Sequence, residues 1–169
     1  MTITYHRLEP KHAQHYRAIR LESLQRHPDS FSSTYASQVQ QPKLAFEGFI
    51  EAQTLGKFVM GAFDKDNLIG ICGYTKDNDF ELKQTGTLIQ LYVQDAYRGQ
   101  KVGLHLVQKT VAEALQQGDV TDIVLEALPH NIPANRVYKQ AGFRHYDLIY
   151  WNHPPEKHRI VWIYRGNTR

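Results

Sequence analysis

Between Leu91 and Leu115 an apolar strand end, Leu91-Tyr92-Val93, leads through a basic glycine turn straight into an amphipathic helix. The turn reads Arg98-Gly99-Gln100-Lys101-Val102-Gly103. The helix, predicted over 101–115, is legible from one stripe: Val102, Leu106, Val107, Val111, Ala114 and Leu115. Gly118 lies just past it, where a C-terminal stop belongs. A strand–turn–helix unit of this kind belongs to a sheet covered by helices.

The rest of the chain fills in that sheet. Residues 2–8 alternate polar and apolar and predict an edge strand. Pro10 opens a helix through Ala13, Tyr16, Ile19, Arg20 and Leu24, stopped by His27-Pro28-Asp29-Ser30. Residues 31–41 are rich in Ser, Thr and Gln and read as a loop, and Pro42 starts a second helix through Phe46, Phe49 and Ile50. From Lys57 the period changes to two. Strands over 57–63 and 68–75 flank Asp64-Lys65-Asp66-Asn67, a hairpin signal. A third strand is expected over 87–93, another over 122–128, a short helix over 132–140 ending at Gly142, and two last strands over 146–151 and 159–164. The fold class is therefore α/β, a mixed sheet with helices on both faces, and residues 1–169 read as one domain without repeat or linker.

Composition narrows the function classes. Hydrophobic residues are 41% and charged residues 22%, which excludes disordered and low-complexity chains. One cysteine, Cys72, excludes an internal disulfide framework and is most simply a small buried residue. No apolar run approaches the roughly 18 residues of a membrane span, and the first ten residues lack a signal-peptide core, so a soluble cytoplasmic protein is expected. The net charge of +3 is spread along the chain without a nucleic-acid-binding motif, so no nucleic-acid partner is expected, while a polyanionic small ligand suits the balance. His12 and His15, or His153 and His158, lack a cysteine or convergent carboxylate at ligand spacing, and no metal site is expected.

The turn at 98–103 has the chemistry of a diphosphate cradle. The first turn of a helix offers free N–H groups and a positive dipole end, glycine lets an anion approach the main chain, and Arg98 and Lys101 add charge. The Walker A and G-x-G-x-x-G spacings are absent. The turn resembles the acetyl-CoA signature of the GNAT-type N-acetyltransferases, Arg/Gln-x-x-Gly-x-Gly/Ala, with Arg98 and Gly103 in place and Lys101 where the first Gly stands. A helical first-turn conformation suits Lys at that position; a positive φ does not. Residues 131–143 resemble a second signature of the same family, Asn-x-x-Ala-x-x-aliphatic-Tyr-x-x-x-Gly-Phe, through Asn131, Ala134, Val137, Tyr138, Gly142 and Phe143.

The resemblance implies a GNAT-like fold: a mostly antiparallel sheet with a splayed parallel pair, here the strands expected at 88–93 and 123–128. It implies acetyl-CoA as co-substrate. The pantetheine arm would lie along Leu91, Tyr92 and Val93, with the pyrophosphate on Arg98, Gly99, Gln100, Lys101, Val102, Gly103 and Leu104. Asn131, Ala134 and Tyr138 would touch the cofactor arm. The reaction implied is direct attack of an amine on the thioester. An alkylamine has a pKa near 10, so a proton must leave first. A strand N–H near Leu91 or Tyr92 would stabilise the oxyanion, and Tyr138 is the acid for the leaving thiolate. Many relatives have Glu where this chain has Gln90. The base is then Glu126, with Glu22, His130 or a water chain as the other candidates.

The acceptor cleft implied by the resemblance comprises 23–41 and 146–158. It offers Phe31, Tyr35, Tyr146, Tyr150 and Trp151 and few acids beyond Asp29, Asp147 and Glu156. Phe31, Tyr35 and Tyr150 are the expected acceptor contacts, for a small-molecule amine, an amino acid derivative or a peptide N-terminus rather than a polyamine. Missing Gly and Glu at Lys101 and Gln90 leave two other readings: an acyl-CoA-binding regulatory domain without turnover, or a transferase for longer acyl groups. A homodimer is possible by the same resemblance.

Overall fold

A computed structural model of the chain describes residues 2–147 and 158–166. In chain order the elements are β1 (Ile3–Arg7), α1 (Ala13–Arg26), α2 (Tyr35–Val39), α3 (Ala45–Ala52), β2 (Lys57–Asp64), β3 (Asn67–Thr75), β4 (Thr85–Val93), α4 (Val102–Gln116), β5 (Asp122–Ala127), α5 (Ile132–Gln140), β6 (Arg144–His145) and β7 (Ile160–Arg165). Single 3-10 turns at Pro10–His12, Pro28–Ser30 and Asp95–Tyr97 link them.

The strands form one seven-stranded sheet in the order β1-β2-β3-β4-β5-β7-β6. Neighbours run antiparallel except β4 and β5, which are parallel. Side chains alternate across a sheet, so each strand feeds two cores. On one face, α4 and α5 pack Leu106, Val107 and Tyr138 onto Met60, Ile69, Cys72 and Leu125. On the other, Tyr16 and Ile19 of α1 and Ile50 of α3 cover Val59, Ile71 and Tyr92. The α4 stripe read from the sequence is the buried one: Val102, Leu106, Val107, Val111 and Ala114 all point into the core.

Two irregularities shape the middle of the sheet. The β4–β5 pairing covers only Thr85↔Asp122, Gly86↔Ile123 and Thr87↔Val124, although β4 runs on to Val93 and β5 to Ala127. Beyond Thr87 the strands part and leave a wedge. Gly86 sits at its closed end, where a Cβ would come within 2.5 Å of the Tyr74 hydroxyl, so glycine is required. The second irregularity is a bulge in β4. The β3 register passes from Ile71↔Tyr92 to Gly73↔Ile89, so Cys72 stands against both Gln90 and Leu91. Gln90 takes up the extra residue with φ +57, a left-handed value uncommon for Gln.

The expected loop over 31–41 contains α2. Its signal is local: the Thr34 hydroxyl oxygen accepts from the Ser37 amide at 3.2 Å and caps the first turn. Five residues with no buried side chain carry no stripe for a periodicity reading to find. The hairpin turn and α5 lie where the sequence predicts them, α3 starts at Ala45 rather than at Pro42, and β4 begins two residues early, at the buried Thr85. Of the predicted strand over 146–151, only Tyr146 and Asp147 are described, and neither belongs to a strand. The strand ahead of β7 is β6, which ends at His145, although the Tyr146 amide still donates to the Val161 carbonyl at 2.9 Å.

Candidate functional site

The wedge is the centre of the site. A central strand is normally covered on both edges, but Ile89, Gln90, Leu91 and Val93 are only half-buried because β5 has moved away. The backbone of β4 beyond Thr87 has no strand partner on that edge, which suits an extended ligand that adds as a strand. The bulge at Gln90 turns the following peptide out of the regular ladder at this point. Nothing in the residue types announces that bulge.

The turn between β4 and α4 closes the wide end of the wedge. The first intrahelical bond runs from His105 N–H to the Lys101 carbonyl at 3.0 Å, so the amides of Val102, Gly103 and Leu104 precede it and are free for an anion. Gly99 has φ +75 and an open space where a Cβ would stand. Lys101 is the N-cap of α4 with φ +61 and ψ 17. The position therefore has the left-handed backbone that favours glycine, not the helical one. Lys101 is exposed and has no ion pair among the described residues. Arg98 is engaged: its Nε lies 3.0 Å from Asp95 and its Nη2 2.7 Å from His27 Nε2. Gln100 is exposed.

On the other side of the wedge, α5 is capped by Asn131, whose side-chain oxygen accepts from the Ala134 amide at 3.4 Å. Ala134 is half-buried, and Tyr138 is 7% exposed, with its ring near Phe143 and Trp162. Burial raises the Tyr138 pKa above its ordinary value of 10, with the Cys72 thiol adding to the rise. Cys72 itself is fully buried and pushed up to about 12 by desolvation, so it holds its proton and is no nucleophile at neutral pH. Sequence reasoning missed Asn135. Its Nδ2 donates to the carbonyls of Leu128 and Asn131 at 2.9 Å each, and its Oδ1 accepts from the Trp162 indole at 2.9 Å. This side chain locks the approach to α5 onto β7.

The α1 face supplies the remaining candidates. The Tyr16 hydroxyl donates to Gln90 Oε1 at 2.7 Å, and the Tyr92 hydroxyl donates to Glu22 at 2.7 Å. Glu22 also accepts from Gln94 at 3.1 Å, so it positions the end of β4. Glu126 is exposed on β5 opposite Val161, just beyond the point where β4 and β5 part. Phe31 is half-buried over the Arg20 guanidinium, with 4.6 Å from Cζ to the ring centroid, and Tyr35 opens α2. His130 is exposed between β5 and α5. Tyr150 lies outside the described residues, as do Trp151, His153 and Glu156. Among the described residues no cluster of His, Cys, Asp and Glu could hold a metal ion, and no helix is long and apolar enough to cross a membrane.

A splayed parallel pair at the centre of an antiparallel sheet, with a glycine turn leading from one of its strands into a helix, is the architecture implied by the two sequence signatures. The family model described as the Acetyltransferase (GNAT) family matches residues 18–143. The chain belongs to the GNAT acetyltransferase family. No curated protein matches the sequence. Solved structures share the fold at low identity. A GNAT acetyltransferase from Streptococcus pneumoniae is 19% identical with a TM-score of 0.74, covering 98% of this chain and 100% of its own. The yncA protein of Salmonella typhimurium, solved with its cofactor acetyl-CoA, is 15% identical at 0.76, covering 100% and 96%. Arabidopsis thaliana NAA60, solved with a bisubstrate analogue, is 19% identical at 0.69, covering 98% and 99%.

Proposed function

We propose that this GNAT-family chain transfers an acetyl group from acetyl-CoA to a primary amine by direct attack. The observation that carries the reading is the wedge beyond Thr87, bordered by unpartnered β4 backbone and closed at its wide end by the free amides of α4. An extended pantetheine fits along Leu91, Tyr92 and Val93, and its pyrophosphate fits the turn from Arg98 to Leu104. Asn131, Ala134 and Tyr138 border the thioester from α5. The solved yncA complex supports the choice of acetyl-CoA.

In this reading the amine enters from the α1 side, past Phe31 and Tyr35. It must lose a proton before attack, because an ammonium has no lone pair. Glu126, on the β5 side of the wedge, or a water it holds takes that proton. Attack places charge on the carbonyl oxygen, and a peptide N–H at the bulge stabilises it. Tyr138 serves the leaving thiolate. Its raised pKa keeps the hydroxyl protonated at pH 7, and full transfer to a thiolate of pKa near 8.5 runs uphill. The hydroxyl therefore acts first as a hydrogen-bond donor to the developing charge.

Calorimetric titration with acetyl-CoA tests the cofactor, beside the double variant Arg98→Ala, Gly103→Glu. The wild type binds and the double variant does not. An amine panel then tests turnover. Tyr138→Phe lowers kcat by about 100-fold while the melting temperature stays put, since the described residues give that hydroxyl no hydrogen bond to lose. Gln90 favours a second reading, a domain that holds acyl-CoA without turnover, because an amide already tied to Tyr16 is no base. Acetyl-CoA binding with no product from any amine would select it.

A further inference from the structure

Arg17 and Arg20 stand one turn apart on α1 and are treated differently by the fold. Arg17 Nη1 meets Glu47 Oε1 at 2.7 Å, and its Nη2 donates to the carbonyls of Val39 at 3.3 Å and Gln41 at 2.8 Å. Arg20 lies deeper, at 5% exposure, yet among the described residues no carboxylate pairs with it. Its guanidinium has one long hydrogen bond, Nη1 to Ser23 Oγ at 3.4 Å, and the face of Phe31. Ser23 spends its own proton on the Arg20 carbonyl at 2.6 Å. Desolvation lowers the Arg20 pKa, partly offset by Tyr16. A cation this deeply buried with no carboxylate partner among the described residues is costly, and an apolar residue of similar volume would fill the space at lower cost.

Position gives that cation a use. Tyr16, one turn earlier on α1, reaches the bulge residue Gln90, so this stretch of α1 faces β4 where the wedge opens. Phe31, the cover over Arg20, comes from the segment after Pro28–Ser30, the wall from which the amine enters. We propose that Arg20 is the receptor for a carboxylate on the acceptor, so that the amine acetylated is a free amino acid rather than a peptide N-terminus or a simple alkylamine. The inference rests on the acetyltransferase reading above. A guanidinium takes a carboxylate through two parallel N–H···O bonds. Phe31 shields that pair from water and walls the amino acid side chain. A peptide N-terminus has a neutral amide in place of the carboxylate and leaves the buried charge unpaired. Sites built around a polar partner discriminate strongly against analogues that lack it.

The test compares acetylation of the twenty L-amino acids with that of their carboxamides, for wild type, Arg20→Met and Arg20→Lys. For the best substrate the wild type prefers the acid over its amide by about 100-fold in kcat/KM. In Arg20→Met the ratio falls to about one through a rise in KM for the acid, and Arg20→Lys retains part of it. Arg20→Met also melts at or above the wild-type temperature, because a buried charge that no described carboxylate pairs with has left the interior. Carboxamides used as well as acids by the wild type, or an unchanged ratio in Arg20→Met, overturn the proposal. Calorimetry separates the two readings. No acetyl-CoA binding defeats the acetyltransferase reading; acetyl-CoA binding with no free amino acid accepted defeats only this one. A thermal shift reads the Arg20 site without the cofactor: free amino acids raise the wild-type melting temperature, carboxamides and Arg20→Met show no rise, and a failure of that pattern is equally fatal.

Discussion

Lys101 shows how far a single residue can be read. Its place in the acetyl-CoA signature marked the position, and the alternatives for its backbone were helical or left-handed. The structure has the left-handed one, with φ +61. No residue type dictates that choice; it follows from how the turn delivers the chain into α4. A side chain in that region carries strain of order 1 kcal/mol that glycine avoids. Lys101→Gly therefore stabilises the protein by roughly 1 kcal/mol, a rise of about 2–4 °C in melting temperature for a chain of this size. Differential scanning calorimetry checks it, and a fall in melting temperature would mean that the ammonium contributes more than the backbone costs. Tyr138 was legible as a residue because its spacing from Asn131 and Gly142 fixes it on a short helix. Arg20 was legible only as part of a helical stripe; that no carboxylate among the described residues pairs with it is a matter of tertiary structure.

At the level of elements, sequence legibility tracked length and amphipathicity. The helix α4 announces itself by period, and α5 by its cap and terminal glycine. The hairpin of β2 and β3 does so by its Asp64-Lys65-Asp66-Asn67 turn, since both strands are buried on both faces and do not alternate. By contrast α2 is one capped turn, and the β4 bulge arises from pairing with β3 rather than from any local signal. The docking of α1 on α3 was equally invisible. Glu47, 2% exposed in its side chain, receives Arg17 at 2.7 Å and the Leu44 amide at 2.9 Å, so one carboxylate caps α3 and ties it to α1. Removing one partner of a buried pair leaves the other charge stranded. Arg17→Met lowers unfolding stability by about 3 kcal/mol, seen as a lower urea midpoint at unchanged slope. The contrast with Arg20→Met, one turn away on the same helix, makes the pair of variants informative: one loses a buried ion pair, the other a charge with no carboxylate partner among the described residues.

For the whole molecule, pH acts through the two ends of α1. His12 precedes the helix, buried against Phe63, with its Nδ1 accepting from the Glu9 amide at 2.9 Å. His27 follows it, with Nε2 2.7 Å from Arg98. The sequence singles out neither for this: His12 was weighed only as a metal ligand and His27 only as part of the stop after α1, because nothing local reveals what will bury them. Burial lowers both pKa values from the usual 6.5; neighbouring His6 and Lys11 add to this at His12, and Arg98 does so at His27. The sign follows from which state binds protons first. With the folded pKa below 6.5, the unfolded chain protonates first as pH falls. The stabilisation is therefore complete above about pH 6.5 and drains away between that value and the lowered folded pKa values. Urea midpoints are expected to fall between pH 6.5 and 5.5, and the double variant His12→Gln, His27→Gln is expected to fall less steeply over the same window. A wild-type midpoint that stays flat there would remove the histidines from the account. Because α1 also carries Tyr16, Arg20 and Glu22, which contact the bulge residue Gln90, Phe31 and the end of β4, acid that loosens its ends also disturbs the wall proposed for the acceptor. Reversible loss of acetyl transfer below pH 6 should then precede global unfolding and be milder in the same double variant.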